Sequence, residues 1–138
     1  MDTYVKHCRR GRGQARGSSL LRPVAAGGVS ARSVVDDPRD GSMLLMAYEA
    51  QDEARRHTIG LARSSNGGRS WERVSDAPIL TPSDDEWDGG AVARPCLISM
   101  GDGRARLYYL GRSADGARQG IGVAESVDAA WTEWRRLT

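Results

Sequence analysis

A tryptophan and an aspartate stand side by side in "EWDGG", where their chemistries can be combined. Asp88 supplies a carboxylate, which can accept or donate a proton, and Trp87 supplies a flat apolar indole. Both precede the apolar stretch that begins at Ala91. They are candidate site residues; the alternative is that Trp87 packs between structural units and Asp88 caps a turn.

Two arginines stand in matching surroundings. Arg32 in "SARSVVD" falls on Arg94 in "AVARPCLIS" when the sequence is shifted by 62 positions against itself. A guanidinium can form paired hydrogen bonds with a carboxylate and can donate to other oxygen-rich groups. Arg32 and Arg94 are therefore a second candidate pair, and the alternative is that they form ion pairs between structural units.

Metal and redox chemistry find little support in the sequence. His7 and His57 are isolated and lack the ligand spacing of a metal site, so we expect no metal and no cofactor. Cys96 lies in the apolar "PCLISM" and is predicted to be buried, whereas Cys8 lies in a polar segment; a disulfide between them is an alternative.

The sequence contains an internal duplication. With the 62-residue shift and no gap, 12 of the 38 positions from Gly27 to Ser64 are identical to their partners. Two further acids, Glu49 and Glu125, do not repeat under this shift and are predicted to be solvated.

Each copy contains four stretches with the composition of strands, separated by turn-forming residues. A helix is the alternative over "AYEAQDEARRH", but the matching "LGRSADGARQG" would break one. The sequence therefore predicts an all-β fold of two four-stranded antiparallel propeller blades. The predicted strands are "SARSVVD", "SMLLMAYEA", "TIGLARS" and "SWERVS" in the first copy, and "AVARPCLIS", "ARLYYLGR", "GIGVAES" and "WTEWRRLT" in the second.

The turn before the fourth strand resembles the Asp-box of sialidases and related propellers. "SSNGGRSW" follows the pattern Ser-x-Asp-x-Gly-x-x-Trp with Asn in place of Asp, and "SVDAAWTEW" is a degenerate copy. The resemblance implies a structural role, in which a short side chain accepts backbone hydrogen bonds and Trp fills the apolar layer. The residues given this role are Ser64, Asn66, Trp71, Ser126, Asp128 and Trp134.

The wider pattern resembles the five-bladed propellers of the arabinanase, levansucrase and invertase superfamily, which are glycoside hydrolases of the family 43 and family 32 type. The resemblance rests on the third strand "IGLARS" and "GIGVAES", the link "PILTP", and "RP" followed by "LYYLG". It implies a partial propeller over residues 24–138, with blades at about 27–76 and 89–138.

In that superfamily three carboxylates from different blades line a pocket at the central axis. The resemblance implies that Asp88 is the catalytic candidate and that Arg32, Trp87 and Arg94 bind carbohydrate. Many relatives carry Arg-Asp-Pro, but here Arg94 is followed directly by Pro95, so the carboxylate set is incomplete. Whether the chain is an enzyme stays open.

Length limits the function further, since 138 residues supply two blades rather than five. We expect the pair to be inactive alone and to be completed by further blades or by self-association. The alternatives are a non-catalytic scaffold or protein-interaction module, and a fragment of a sialidase-like propeller.

Charge and hydropathy exclude two other classes of partner. From Asp36 onward there are 13 basic and 17 acidic residues, which argues against nucleic acid. No apolar run is long enough to span a membrane. Residues 1–23 form a basic leader, either a transit peptide or a disordered tail, so the compartment stays open between cytoplasm and plastid; no secretory signal is visible.

Overall fold

The computed structural model describes residues 29–84 and 86–137 as two four-stranded antiparallel sheets. The predictions made for the leader, Cys8 and His7 lie outside the described residues. In each sheet the strand order follows the chain order, which confirms the predicted all-β fold. Sheet one contains β1 (Val29–Asp37), β2 (Asp40–Gln51), β3 (His57–Ser64) and β4 (Glu72–Arg73); sheet two contains β5 (Ala91–Ser99), β6 (Ala105–Arg112), β7 (Gln119–Ser126) and β8 (Trp134–Leu137).

The segment with helical composition is the end of β2 and a tight turn. The carboxylate of Asp52 accepts the backbone N–H of Arg56 at 2.8 Å, and Arg55 has a φ of 62°. A short acceptor side chain and one left-handed residue are what a tight reversal needs. Across the described residues there is no helix, and hence none that could cross a membrane.

The two sheets pack face to face around one apolar core. Strand β5 lies against β1, β2 and β3 of sheet one. Two backbone amides of β5 donate to side chains of sheet one: Leu97 to the Ser33 hydroxyl at 3.0 Å and Arg94 to the Glu49 carboxylate at 3.0 Å. The core between the sheets contains Leu45, Ala47, Ile59, Leu61, Ile79, Leu80, Val92, Leu97, Ala105, Leu107, Tyr109, Ala124 and Trp131.

A tyrosine lies over a glycine at the same place in both sheets. Tyr48 pairs with Gly60 across β2 and β3, and Tyr109 pairs with Gly122 across β6 and β7. A Cβ on Gly60 would lie 2.4 Å from the Tyr48 ring, and one on Gly122 would lie 2.3 Å from the Tyr109 ring. These contacts identify Tyr48 and Tyr109 as equivalent residues, although they are 61 positions apart and the glycines are 62 apart. The prediction of a duplication without gaps is therefore wrong by one residue in β6.

Between the first strands of the two sheets, β1 and β5, the spacing of equivalent residues is one more than 62, whereas between β2 and β6 it is one less. Ser33 pairs with Ala47, next to the first tyrosine, and Cys96 pairs with Tyr108, next to the second. Cys96 is consequently the equivalent of Ser33, 63 positions later.

The ladders show that the two candidate arginines are not equivalent, although both inner strands contain an irregularity at this place, in β1 between Val29 and Arg32. The register of β5 shifts between Ala93 and Cys96, and Arg94 within this irregularity has a φ of 48°. The ladders place Pro95 at the position of Arg32, so Arg94 corresponds to Ala31. The prediction that Arg32 and Arg94 share one position is wrong by one residue.

The outward faces of the two sheets differ in exposure. On sheet one this face is buried, with a cluster of Met46, Tyr48, Ala50, Ala62 and Trp71. On sheet two, the residues that alternate with the core residues point away from sheet one. We define the open face of sheet two by its apolar residues Cys96, Ile98, Tyr108, Leu110, Ile121, Val123 and Leu137. Cys96 has a free, exposed thiol, so the prediction that it is buried is wrong.

Candidate functional site

Asp88 lies at the centre of a buried polar network at the start of sheet two. Its side chain has no solvent exposure. One carboxylate oxygen, Oδ2, accepts the hydroxyl of Tyr109 at 2.8 Å and the Nε–H of Arg136 at 2.9 Å. Since Tyr109 is on β6 and Arg136 on β8, Asp88 fixes the linker between the sheets to two strands of sheet two.

The network extends to the beginning of the linker. The Nη2 group of Arg136 donates to the backbone carbonyl of Thr81. Burial raises the pKa of Tyr109 to about 12, and its hydrogen bond to Asp88 adds to that rise. Burial alone would lower the pKa of Arg136, but the contact with Asp88 outweighs it and raises that pKa. The other oxygen of Asp88, Oδ1, has no hydrogen-bond partner among the described residues.

Trp87 forms a partly exposed aromatic platform beside this network. Its ring stacks on Tyr109 with centroids 6.3 Å apart and an interplanar angle of 16°. A Cβ on Gly111 would lie 2.5 Å from the indole, so this glycine makes room for the ring. Because 40% of Trp87 remains exposed, it offers a fixed apolar surface to solvent.

Arg32 and Arg94 lie on the adjacent inner strands β1 and β5, and both are exposed. Within residues 29–84 and 86–137, neither guanidinium forms a hydrogen bond or an ion pair, and neither contacts Trp87 or Asp88 in that way. The alternative of ion pairing between the sheets is therefore not realised by these two side chains in the described part of the chain. Arg94 contributes to the contact between sheets through its backbone amide only.

Glu49 and His57 form a polar pair that the sequence analysis missed. Glu49 is only 7% exposed, so the prediction that it is solvated is wrong. One of its oxygens lies 2.6 Å from Nδ1 of His57, while the other accepts the amide of Arg94. Burial acts to raise the pKa of Glu49, but the hydrogen bonds from Arg94, His57 and Ser30 outweigh it and hold that pKa below its usual value. The residue types gave no signal for this pair, because Glu49 approaches His57 diagonally across the β2–β3 ladder.

Glu125 is also buried, again contrary to the prediction. It lies in sheet two among three arginines. Its carboxylate oxygens lie 3.2 Å from Arg104, 3.8 Å from Arg106 and 3.8 Å from Arg135. Arg104 also forms an ion pair with Asp102 at 2.7 Å, so two carboxylates face three arginines and balance only part of the local positive charge.

The turn between β3 and β4 is held by its own side chains. The Ser64 hydroxyl accepts the amide of Gly68 at 2.9 Å, and Oδ1 of Asn66 accepts the amide of Ser70 at 2.9 Å. Buried Trp71 donates its indole N–H to the Gly68 carbonyl at 3.1 Å. These contacts lie within the turn, and the Asp-box assignment stays a resemblance.

The turn before β8 uses different groups for the same purpose. Asp128 accepts the amides of Thr132 and Glu133, each at 2.8 Å. Trp134 donates to the carbonyl of Trp131, and the Ser126 hydroxyl accepts the amide of Ala105 at 2.9 Å. Trp131, rather than Trp134, is the fully buried indole of this turn, which sequence reasoning missed.

No protein-family model and no curated protein matches the sequence. Solved structures do match it. A glycosyl hydrolase from Bacteroides ovatus superposes with a TM-score of 0.61 at 20% identity, covering 78% of this chain and 30% of that one. A family 117 glycoside hydrolase from Zobellia galactanivorans gives 0.61 at 15% identity, with 78% and 37% covered. The GH43_1 enzyme from Xanthomonas citri, solved with xylotriose, gives 0.60 at 18% identity, with 79% and 31% covered.

The fold is that of two propeller blades. Sheet one and sheet two are one blade each, and the glycoside-hydrolase propellers are structures that this pair resembles. The chain covers between 30% and 37% of the length of these structures. Among the described residues, no group of three or more His, Cys, Asp or Glu side chains is arranged to hold a metal ion.

Proposed function

We propose that this pair of blades binds carbohydrate on Trp87, as part of a glycoside-hydrolase-like propeller. The observation that supports this is the indole itself, stacked on Tyr109 yet 40% exposed at the start of the inner strand β5. An aromatic face held rigidly in this way can stack against the C–H face of a sugar ring with little loss of conformational entropy.

The other candidate residues have distinct roles in the proposal. Asp88 is a positioning residue, because its buried carboxylate ties the linker to Tyr109 and Arg136 and so holds Trp87. Arg32 and Arg94 offer exposed guanidinium donors to sugar hydroxyls or to an acidic sugar. The xylotriose bound to the Xanthomonas citri enzyme supports a carbohydrate as the class of ligand.

Cleavage of a glycosidic bond is not proposed for the chain alone. That reaction uses two carboxyl groups that flank the scissile bond. Asp88 is closed off from solvent and already bonded to two partners, and no second carboxylate approaches Trp87 among the described contacts. A catalytic role for Asp88 stays a prediction that would require further blades to form the pocket.

Isothermal titration of the full chain against a panel of xylo-, arabino- and manno-oligosaccharides tests the proposal. We expect at least one sugar to bind, Trp87→Ala to weaken it tenfold or more, and Trp87→Phe to restore part of the affinity. Arg94→Ala should weaken binding further, while Arg69→Ala, an exposed arginine in the β3–β4 turn, serves as the matched control. Unchanged affinity in folded Trp87→Ala, or no binding of any sugar, would refute the proposal.

A second candidate is the scaffold or interaction module, and one observation favours it. Sheet two presents an exposed apolar face, with Ile121 71% and Ile98 41% exposed. Faces of this kind mark interaction surfaces.

A further inference from the structure

Equivalent isoleucines on the two sheets have opposite environments. Ile59 and Ile121 occupy the same position of the third strand, one residue before the glycine that lies under a tyrosine. Ile59 is fully buried because sheet two covers it, whereas Ile121 is 71% exposed. Sheet two therefore presents to solvent the face that sheet one uses to bind a neighbouring sheet.

The open face of sheet two has apolar residues in its middle and arginines at both ends. Tyr108 and Val123 pair at the centre of the face. Arg106 and Arg135 flank Glu125 in one cross-strand row, and Arg112 lies at the opposite end, paired with Gln119. These three arginines and one glutamate give the face a net charge of +2 at neutral pH.

This charge argues against a second copy of the chain as the occupant. Two open faces in contact would bring +2 against +2 in an interface of low dielectric constant, where like charges are costly. The alternative for a second copy is to offer the outward face of sheet one, but Met46, Tyr48 and Ala62 on that face are already buried.

We propose that the open face of sheet two is the docking site for a β-sheet surface of another polypeptide, apolar at its centre and carrying carboxylates at its edges. Its apolar residues cover Ile121 and Val123 in the way that sheet two covers Ile59 and Leu61 on sheet one. Its carboxylates pair with Arg106 and Arg135, which share the single carboxylate of Glu125. This interaction involves neither Trp87 nor any sugar, so it is independent of the proposed carbohydrate binding, and it rests on the second candidate function, the interaction module.

The free thiol of Cys96 provides a reporter within the open face. In a Cys8→Ser variant of the full chain Cys96 is the only cysteine, and its alkylation rate measures whether the face is covered. The probe is a head-to-tail cyclised β-hairpin with one face that carries Val at its centre and Glu at both ends. The matched control replaces every Glu of that hairpin by Lys.

We expect the Glu hairpin to slow alkylation of Cys96 at least fivefold, with less protection as salt rises, and the Lys hairpin to give none. Ile121→Ser and the double variant Arg106→Gln/Arg135→Gln should each abolish most of the protection. Both substitutions are on the exposed side of sheet two, and unfolding curves establish that the variants fold.

Any of the following results would overturn this proposal. The first is binding of the Glu hairpin without protection of Cys96, which would place it along the edge strand β8. The second is absence of binding, or equal protection by the Glu and Lys hairpins. The third is a concentration-dependent dimer of the unmodified chain in analytical ultracentrifugation that is lost in Ile121→Ser, since the occupant would then be a second copy.

Discussion

Sheet one and sheet two share strand order and the tyrosine-over-glycine contact, yet they bury different amounts of their surfaces. Sheet one has buried apolar side chains on both faces, whereas sheet two buries them only on the face that meets sheet one. The exposure of Ile59 and Ile121 shows that burial in a repeated unit is decided by the neighbouring unit and not by the residue type. The loss of folding free energy on substitution at equivalent positions should therefore also depend on whether a neighbouring sheet buries the residue.

The largest expected contrast is between Ile59→Ala and Ile121→Ala. Removing Ile59 leaves a cavity in the core between the sheets and should lower the free energy of unfolding by about 3 kcal/mol. Removing Ile121 from an exposed surface should change it by less than about 0.5 kcal/mol. Urea unfolding of the two variants measures the contrast, and equal losses would mean that the face of sheet two is already covered in solution.

The glycines under the tyrosines should behave alike, which tests the similarity of the sheets. Gly60→Ala and Gly122→Ala each force a methyl group against a tyrosine ring and should cost about 2 kcal/mol. Gly41→Ala is the matched control, since nothing lies within 4 Å of its Cβ position. A cost in only one sheet, measured in the same unfolding assay, would contradict the equivalence of Tyr48 and Tyr109.

Glu49 should make the stability of the contact between the sheets depend on pH. Its pKa is lowered in the folded chain, so its contribution is fully present above about pH 4.3 and is lost as the pH falls through its folded value. Glu49→Gln should therefore cost about 1.5 kcal/mol at pH 7, and the difference from the parent chain should shrink below pH 4. Unfolding from pH 7 to pH 3 measures this, with exposed Glu53→Gln as the control; a difference independent of pH would refute it.

The smallest effect is expected in the turns before the fourth strands. Asp128 is ionised when it accepts two backbone amides and the Thr132 hydroxyl, whereas Asn66 accepts its amide as a neutral group. Asp128→Asn should cost less than about 1 kcal/mol at pH 7. Asn66→Asp should be closer to neutral, and a larger loss from Asn66→Asp than from Asp128→Asn in thermal unfolding would reverse the comparison.

The strands were predictable because local composition and turn residues determine them. "AVARPCLIS" and "ARLYYLGR" match β5 and β6 residue for residue. The one-residue displacements in β5 and β6 were not predictable, because they arise in the segments that connect the strands and composition does not fix the register across those segments. The hydrogen bond from the Arg94 amide to Glu49, 45 residues earlier, was not predictable either. The burial of Glu49, Glu125 and Asp88 was missed for the same reason, since their partners lie on other strands.

The carboxylate network has a consequence for how far the chain can be shortened. Arg136 is close to the last described residue, yet it holds both Asp88 and the carbonyl of Thr81. A chain cut just before Arg136 would keep Trp87 in its sequence but would lose the hydrogen bonds from Arg136 that fix the linker. Proteolysis or a stop codon at that point would therefore disable the aromatic platform from a position almost fifty residues away.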